Sequence, residues 1–270
     1  MLRAQLAAIR AHEAGVREGA DHEELHQMRT AVRRLRAILR VVPAALASEP
    51  AASRRELRWL GRVLGTARDA DVQREYFRTL LGSLAEAESS VVRRVLRRLE
   101  AHRSRARRRV LAVLDGRRYT RLVTDLQQAL DEPRAVEAAG VARTAGDQFE
   151  RLRKAVKALP ADPSDTEVHA VRIVLRRARY AAELAEADGG RKVERFVRRA
   201  ARLQDMLGEH QDAAVAERTL RAVRRALPSR AARAAAARLI ERQRRRRRAA
   251  WRAFEDAWPA LKRRGRKAWG

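Results

Sequence analysis

The chain has 270 residues, enough for one large or two small hydrophobic cores, and carries 62 Lys+Arg against 34 Asp+Glu, a formal net charge of +28. That imbalance is self-repulsive unless an anion binds, so the partner class is a polyanion: nucleic acid, an anionic membrane surface or polyphosphate. The absence of cysteine excludes disulfides, thiolate catalysis and cysteine-ligated metals, and no apolar run approaches the roughly 20 residues that span a bilayer. Only five of the cations are lysine; arginine suits forked contact with phosphate oxygens, although codon bias also raises arginine content, so the total alone decides little. The N-terminal MLRAQLAAIRAHE is a charged helical stripe and not a signal peptide, and the expected location is the cytoplasm.

Proline and glycine are sparse and β-branched or aromatic runs few, so the chain reads as helical throughout. In order, periodicity and breaks predict helices over 2–18, 22–42, 52–82 and 87–114, then a short helix over 117–130 in a link with Pro133. The remainder is predicted over 135–159, 165–187, 191–226 and 229–257, punctuated by Pro160, Pro163, Gly189-Gly190 and Pro228. Pro43 ends the second helix, and Gly65 is a candidate bend in the third. Short links between long amphipathic helices imply antiparallel neighbours, hence an all-α fold of two four-helix bundles.

The helix over 22–42 is the most informative. With His26 at zero and 100° per residue, Arg29, Arg33, Arg36 and Arg40 fall within about 80° of it, a row about 20 Å long. Met28, Val32, Leu35, Ile38, Leu39 and Val42 fall on the opposite, packing side. Arg34 flanks the row. An ordinary solvated face mixes Lys, Arg and Glu in i,i+4 pairs; here like charges stand three and four residues apart, which needs a counter-charge.

The chain matches itself at an offset of 143 positions. His26, Arg29, Arg33, Arg34 and Arg36 fall on His169, Arg172, Arg176, Arg177 and Arg179; Arg55 falls on Arg198. Leu64, Gly65, Asp69, Ala70 and Val72 fall on Leu207, Gly208, Asp212, Ala213 and Val215 in the same register. A tandem duplication is expected, with repeats over about 1–143 and 144–270. Both histidine helices open on a capping-box pattern, Asp21-x-x-Glu24 and Ser164-x-x-Glu167. In the second copy Glu183 stands where the first has Arg40, so that row is shorter; Tyr180 replaces Ala37 and is a candidate phosphate hydrogen-bond partner.

The stretches HQMRTAVRRLR, LGTARDADV, HAVRIVLRRARY and LQDMLGEHQDAAV resemble the CHAD domain, the conserved histidine α-helical domain, over nearly the whole chain. The resemblance implies a single domain over 1–270, built as two pseudo-twofold-related four-helix bundles around a central basic cleft. It also implies binding of inorganic polyphosphate and association with polyphosphate granules. On the matching positions the implied lining is His26, Arg29, Arg33 and Arg36 with His169, Arg172, Arg176 and Arg179. No E-x-E-x-K run of a triphosphate-tunnel domain is present, so a standalone form is expected.

Other candidates carry less. A metal at His26 or His169 would meet several arginines and no second His or Cys at ligand spacing, so no metal or cofactor is expected, and the imidazoles read as phosphate donors or core-edge residues. Asp69 and Asp212 either orient an arginine or histidine of the row or form a cap or surface ion pair. Arg55 and Arg198, like Arg103, Arg105, Arg109, Arg246, Arg248 and Arg252, extend the basic surface or face outward. The run Arg244–Arg248 covers every face of its helix and reads as a general anion attractor. Trp251, Phe254 and Trp258 read as core.

The expected function is therefore non-enzymatic polyphosphate binding by arginine and histidine rows. A nucleic-acid-binding helical protein is the alternative; no helix-turn-helix or base-reading Asn/Gln pattern supports it, although non-specific binding in vitro is expected. A metal-dependent polyphosphate hydrolase is the weaker alternative, because phosphoryl transfer needs carboxylates to hold Mg²⁺ and the rows offer Glu183 alone, with Asp69 and Asp212 nearby.

Overall fold

The structure, a computed structural model, describes residues 1–19, 21–41, 50–131 and 138–270. These form α1 (Leu2–Ala11), α2 (Glu13–Glu18), α3 (His22–Val41), α4 (Pro50–Leu81), α5 (Glu86–Leu114), α6 (Arg117–Asp131), α7 (Ala138–Lys157), α8 (Asp165–Leu184), α9 (Glu186–Arg224) and α10 (Arg230–Trp269). The fold is all-α, with no strand among the described residues. Among them, no helix is long and apolar enough to cross a membrane. Val42, Pro43 and Pro133 lie outside the described residues.

The helices depart from the predicted segments in three places, each with a packing cause. The first segment divides at His12, whose Nδ1 meets Glu24 of α3 at 2.9 Å. Glu24 lies against Gly15, where an added Cβ would stand 2.4 Å from the Glu24 Cγ. In the second departure, Gly189-Gly190 sits inside α9 as a kink, with Gly190 at φ 56°. In the third, α10 continues through Pro259 to Trp269, past the predicted end at 257. An interior proline costs a helix about 3 kcal/mol. Burial of Leu261 and the ring cluster of Phe149, Phe196 and Trp269, with centroids 4.7–5.9 Å apart, offset that cost. Gly265 admits the Phe149 ring, which would lie 2.1 Å from a Cβ there. Gly65 does not interrupt α4.

The chain divides into two compact units, Met1–Arg78 with Leu96–Val136, and Thr79–Val95 with Glu137–Gly270. This division is not the sequence repeat: residues 79–95, the tip of the α4–α5 hairpin, belong to the second unit. In the first unit, α1 to α6 enclose a core that includes Met28, Val32, Leu35, Leu39, Leu57, Leu60, Leu64 and Leu126. In the second, Val171, Leu175, Phe196, Leu207, Leu239 and Phe254 are buried. Trp251 and Trp258 are half-buried and stack on either side of Phe254.

The two predicted capping boxes differ. Ser164 and Glu167 form the reciprocal box at α8. At α3, Asp21 accepts from the Glu23 N–H at 2.7 Å, and Glu24 is committed to His12. The turn before α3 is held by Arg107 of α5, which donates to the Gly19 carbonyl at 2.9 Å and the Glu18 carbonyl at 2.7 Å. Gly19 adopts φ 67°, and a side chain there would collide with the Arg107 guanidinium.

Candidate anion-binding site

On α3 the two predicted faces separate cleanly. Met28, Val32, Leu35, Ile38 and Leu39 are buried, whereas His26, Arg29, Arg33 and Arg36 are half-buried and Arg34 and Arg40 exposed. Half-burial follows from the neighbour: the row lies along α4, and α4 presents glycines to it. A Cβ on Gly65 would stand 3.5 Å from Arg29 Nε, and one on Gly61 would stand 3.4 Å from Arg36 Nη1. The Arg29 and Arg36 guanidiniums thus lie over bare backbone at two glycines one helical turn apart on α4. Arg29 Nη2 is 3.4 Å from Asp69 Oδ1, and Arg33 Nη2 is 3.3 Å from Thr30 Oγ1. Arg54 of α4 donates to the Leu39 carbonyl at 3.4 Å, near the end of the same helix.

His26 sits inside this row with its Nδ1 shut from solvent and without a hydrogen-bond partner. Burial pushes its pKa down, and the charge of Arg68, then of Arg33 and Arg29, pushes the same way against Glu23. Free of anion, the imidazole is held neutral inside a cationic surface.

On α8, Val168, Val171, Leu175, Ala178 and Ala182 are buried. Arg172, Arg176 and Arg179 are half-buried, and Arg177 is exposed. His169 is exposed and its Nδ1 lies 3.0 Å from Gln211 Oε1. Arg179 Nε is 3.5 Å from the Glu183 carboxylate, and its guanidinium stands 4.9 Å from the Tyr180 ring centre. Tyr180 itself corrects the sequence reading. It is 4% exposed, with its hydroxyl closed off from solvent, so it backs Arg179 instead of offering a donor at the surface. The period that placed position 180 beside the row could not register that a ring fills the interior where Ala37 leaves space.

The outlying candidates separate by partner. Asp69 is exposed and engages Arg29; Asp212 is half-buried. Arg55 and Arg198 are both exposed, and Arg198 is paired with Glu194. Arg103 is paired with Asp71 at 2.7 Å, whereas Arg105, Arg109 and Arg252 are exposed.

In the arginine run of α10, Arg245 and Arg248 are exposed, but four of the five arginines are paired with carboxylates. Arg244 meets Glu217 at 3.1 Å, Arg246 meets Glu209, Arg247 meets Asp165 at 3.0 Å and Glu217 at 3.3 Å, and Arg248 meets Glu241 at 2.8 Å. Glu217 is 4% exposed; burial alone would raise its pKa, but Arg221, Arg244 and Arg247 hold it below the usual carboxylate range. Asp165 opens α8, so the Arg247 contact ties α10 to the start of the histidine helix. His210 lies beside Asp165 at 3.9 Å, buried and with its pKa lowered by desolvation. Arg68, Gly61, His210 and Glu217 were not candidates from sequence. Arg68 was visible as the position matched by Gln211, but only packing shows that it faces His26.

Among the described residues no three His, Asp or Glu side chains converge as a metal-ligand set. The chemistry this arrangement offers is fixed positive charge with guanidinium N–H donors and one recessed imidazole, suited to a chain of phosphates.

Comparison with known proteins places the arrangement in a family. Residues 1–221 match the family model of the CHAD domain. Two uncharacterized proteins of Mycobacterium tuberculosis, strains CDC 1551 and H37Rv, are each 31% identical over 215 residues. The match takes in 74% of this chain but spans only 40% of their length. The crystal structure of the CHAD domain from the plant Ricinus communis superposes with TM-score 0.73 at 28% identity, covering 95% of this chain and 88% of that one. PptA from Streptomyces chartreusis shares the fold, with TM-score 0.77 at 24% identity and 96% coverage of both chains. With its histidine helices, its all-α fold and a family match over most of its length, the chain belongs to the CHAD domain family.

Proposed function

We propose that this protein binds inorganic polyphosphate without catalysis, through His26, Arg29, Arg33, Arg36 and Arg40 on α3 and through His169, Arg172, Arg176 and Arg179 on α8. The observation that carries the reading is the row on α3, where the Arg36 and Arg29 guanidiniums are laid over Gly61 and Gly65, one turn apart on α4, with a neutral histidine recessed in the same row. A polyphosphate chain carries charge on every unit and has no bases to read. A straight, repetitive cationic row fits that polymer better than it fits a duplex with grooves. Membership of the CHAD domain family, which is associated with polyphosphate, supports the same reading. Asp69 orients Arg29, and the protein associates with polyphosphate granules through the bound polymer.

The binding is electrostatic and therefore salt-dependent, by counterion release. A titration of long-chain polyphosphate at several salt concentrations tests the proposal. It expects a steep linear fall of log affinity with log salt, and a loss of at least about tenfold in Arg29→Glu/Arg33→Glu. Metal-dependent release of phosphate by the purified protein, abolished in Asp69→Ala or Asp212→Ala, would replace it with the hydrolase reading.

A further inference from the structure

The groove between α3 and α4 and the groove between α8 and α9 are matched position by position, yet their charges are not. Along α4, the helical period puts Arg58, Gly61, Arg62, Gly65, Arg68 and Asp69 on the stripe toward α3; contacts with Arg36 and Arg29 place Gly61, Gly65 and Asp69 there, and the charge of Arg68 acts on His26. At the 143-residue offset the counterparts on α9 are Ala201, Gln204, Asp205, Gly208, Gln211 and Asp212. With the helix rows included, the first groove has eight arginines to two carboxylates: Arg29, Arg33, Arg36 and Arg40 with Arg54, Arg58, Arg62 and Arg68 of α4, against Asp69 and against Glu23, whose charge acts on His26; Val197 and Thr166 stand at the counterparts of Arg54 and Glu23. The second has three arginines, Arg172, Arg176 and Arg179, to three carboxylates, Glu183, Asp205 and Asp212. Arg34 with Arg177, and Arg55 with Arg198, are arginine on both sides and cancel.

The seating differs as well. Gly208 has no side-chain atom within 4 Å of where its Cβ would stand, so no guanidinium lies over it as Arg29 lies over Gly65. Gln204 occupies the place of Gly61, and its buried Oε1 has no hydrogen-bond partner. The two histidines follow their grooves: His26 faces Arg68, and His169 is engaged by Gln211.

We infer that the two grooves contribute unequally: the α3–α4 groove, with Arg58, Arg62 and Arg68 of α4 as its second wall, supplies most of the affinity for the polyanion, and the charge-balanced α8–α9 groove supplies the smaller share. This rests on the polyphosphate reading for the identity of the polymer but not for the choice of groove. Neutralising eight arginines against two carboxylates releases many counterions; a groove of balanced charge releases few.

The experiment measures the affinity for long-chain polyphosphate, and its salt dependence, in three variants checked for helicity and melting temperature. Arg58→Ala/Arg62→Ala/Arg68→Ala is expected to lose at least about tenfold in affinity and about two units of salt slope, at roughly 0.7 per contact on a flexible polyanion. Arg172→Ala/Arg176→Ala/Arg179→Ala is expected to lose affinity as well, but several-fold less than the α4 variant and with a smaller change of salt slope. Glu183→Arg/Asp205→Arg/Gln211→Arg, which rebuilds the second groove on the pattern of the first, is expected to gain about two units of slope. Equal losses in the two alanine variants would overturn the inference, as would no gain in the third. If the wild type ignores polyphosphate but binds single-stranded DNA with the same inequality, the polymer is wrong and the groove assignment stands.

Discussion

His169 Nδ1 lies 3.0 Å from the amide oxygen of Gln211, whereas its counterpart His26 faces the guanidinium of Arg68 and has no hydrogen-bond partner at Nδ1. Where α4 has Arg68, α9 has Gln211, and the two imidazoles differ accordingly: His169 is an engaged surface group and His26 a recessed one.

The folded pKa of His26 is lowered, by burial first and by Arg68, Arg33 and Arg29 next. The unfolded chain therefore binds more protons than the folded one below the ordinary histidine value of about 6.5, and stability rises with pH through that window. His26 contributes its full stability above about pH 6.5 and loses it as pH falls toward the lowered value; His210, lowered by desolvation, acts in the same direction. A bound polyanion reverses the field on His26, so binding takes up a proton and affinity increases as pH falls below about 6.5. Isothermal titration in two buffers of different ionisation enthalpy measures that uptake; His26→Gln is expected to abolish most of it, and an unchanged uptake would assign it elsewhere.

Gly61 and Gly65 are expected to tolerate a methyl group and nothing larger. A Cβ at either position stands at ordinary contact distance from an arginine, 3.4 and 3.5 Å. Gly61→Ala should keep polyphosphate affinity and stabilise α4 by up to about 1 kcal/mol, from helix propensity. Gly61→Leu displaces the Arg36 guanidinium and should weaken binding several-fold with helicity retained. Equal binding by the two variants would show that the glycine seat does not position Arg36.

Glu217→Ala is expected to destabilise the protein without touching the α3 row. Its carboxylate compensates Arg221, Arg244 and Arg247, and removing it leaves these beside one another at a buried position. Losing the shared partner of a buried pair costs about 3–5 kcal/mol, reduced here to about 2 kcal/mol because the arginines are partly exposed. Thermal melting should show a fall of about 4–8 °C, with the salt slope of polyphosphate binding unchanged.

Tyr180→Phe tests whether the buried Tyr180 hydroxyl takes part in binding. Because the hydroxyl is closed off from solvent, the variant should bind polyphosphate with the affinity and salt slope of the wild type. A loss of binding at unchanged melting temperature would return Tyr180 to the site.

What could be read from sequence depended on range. The faces of α3 and α8 were legible because spacings of three and four residues place Met28, Val32 and Leu35 on one side and Arg29, Arg33 and Arg36 on the other whatever surrounds them. The break at His12 was not legible: no proline or glycine marks it, and its partner Glu24 comes from the next long helix. The extension of α10 through Pro259 depends on Phe149 and Phe196, far away in the chain. The arginine run of α10 looked open because its carboxylates, Asp165, Glu209 and Glu217, are contributed by other helices. Gly65 read as a candidate bend, and only the approach of Arg29 shows its use.

The central claim, that this is a polyphosphate-binding protein acting through its α3 row, is tested most directly by one competition titration. Long-chain polyphosphate, short polyphosphate, single-stranded DNA and duplex DNA are offered at matched charge and fixed salt to the wild type and to Arg29→Glu/Arg33→Glu. The account predicts tightest binding to long-chain polyphosphate in the wild type and a loss of at least about tenfold in the variant. DNA binding as tight as polyphosphate binding, and unaffected by the two reversals, would contradict it.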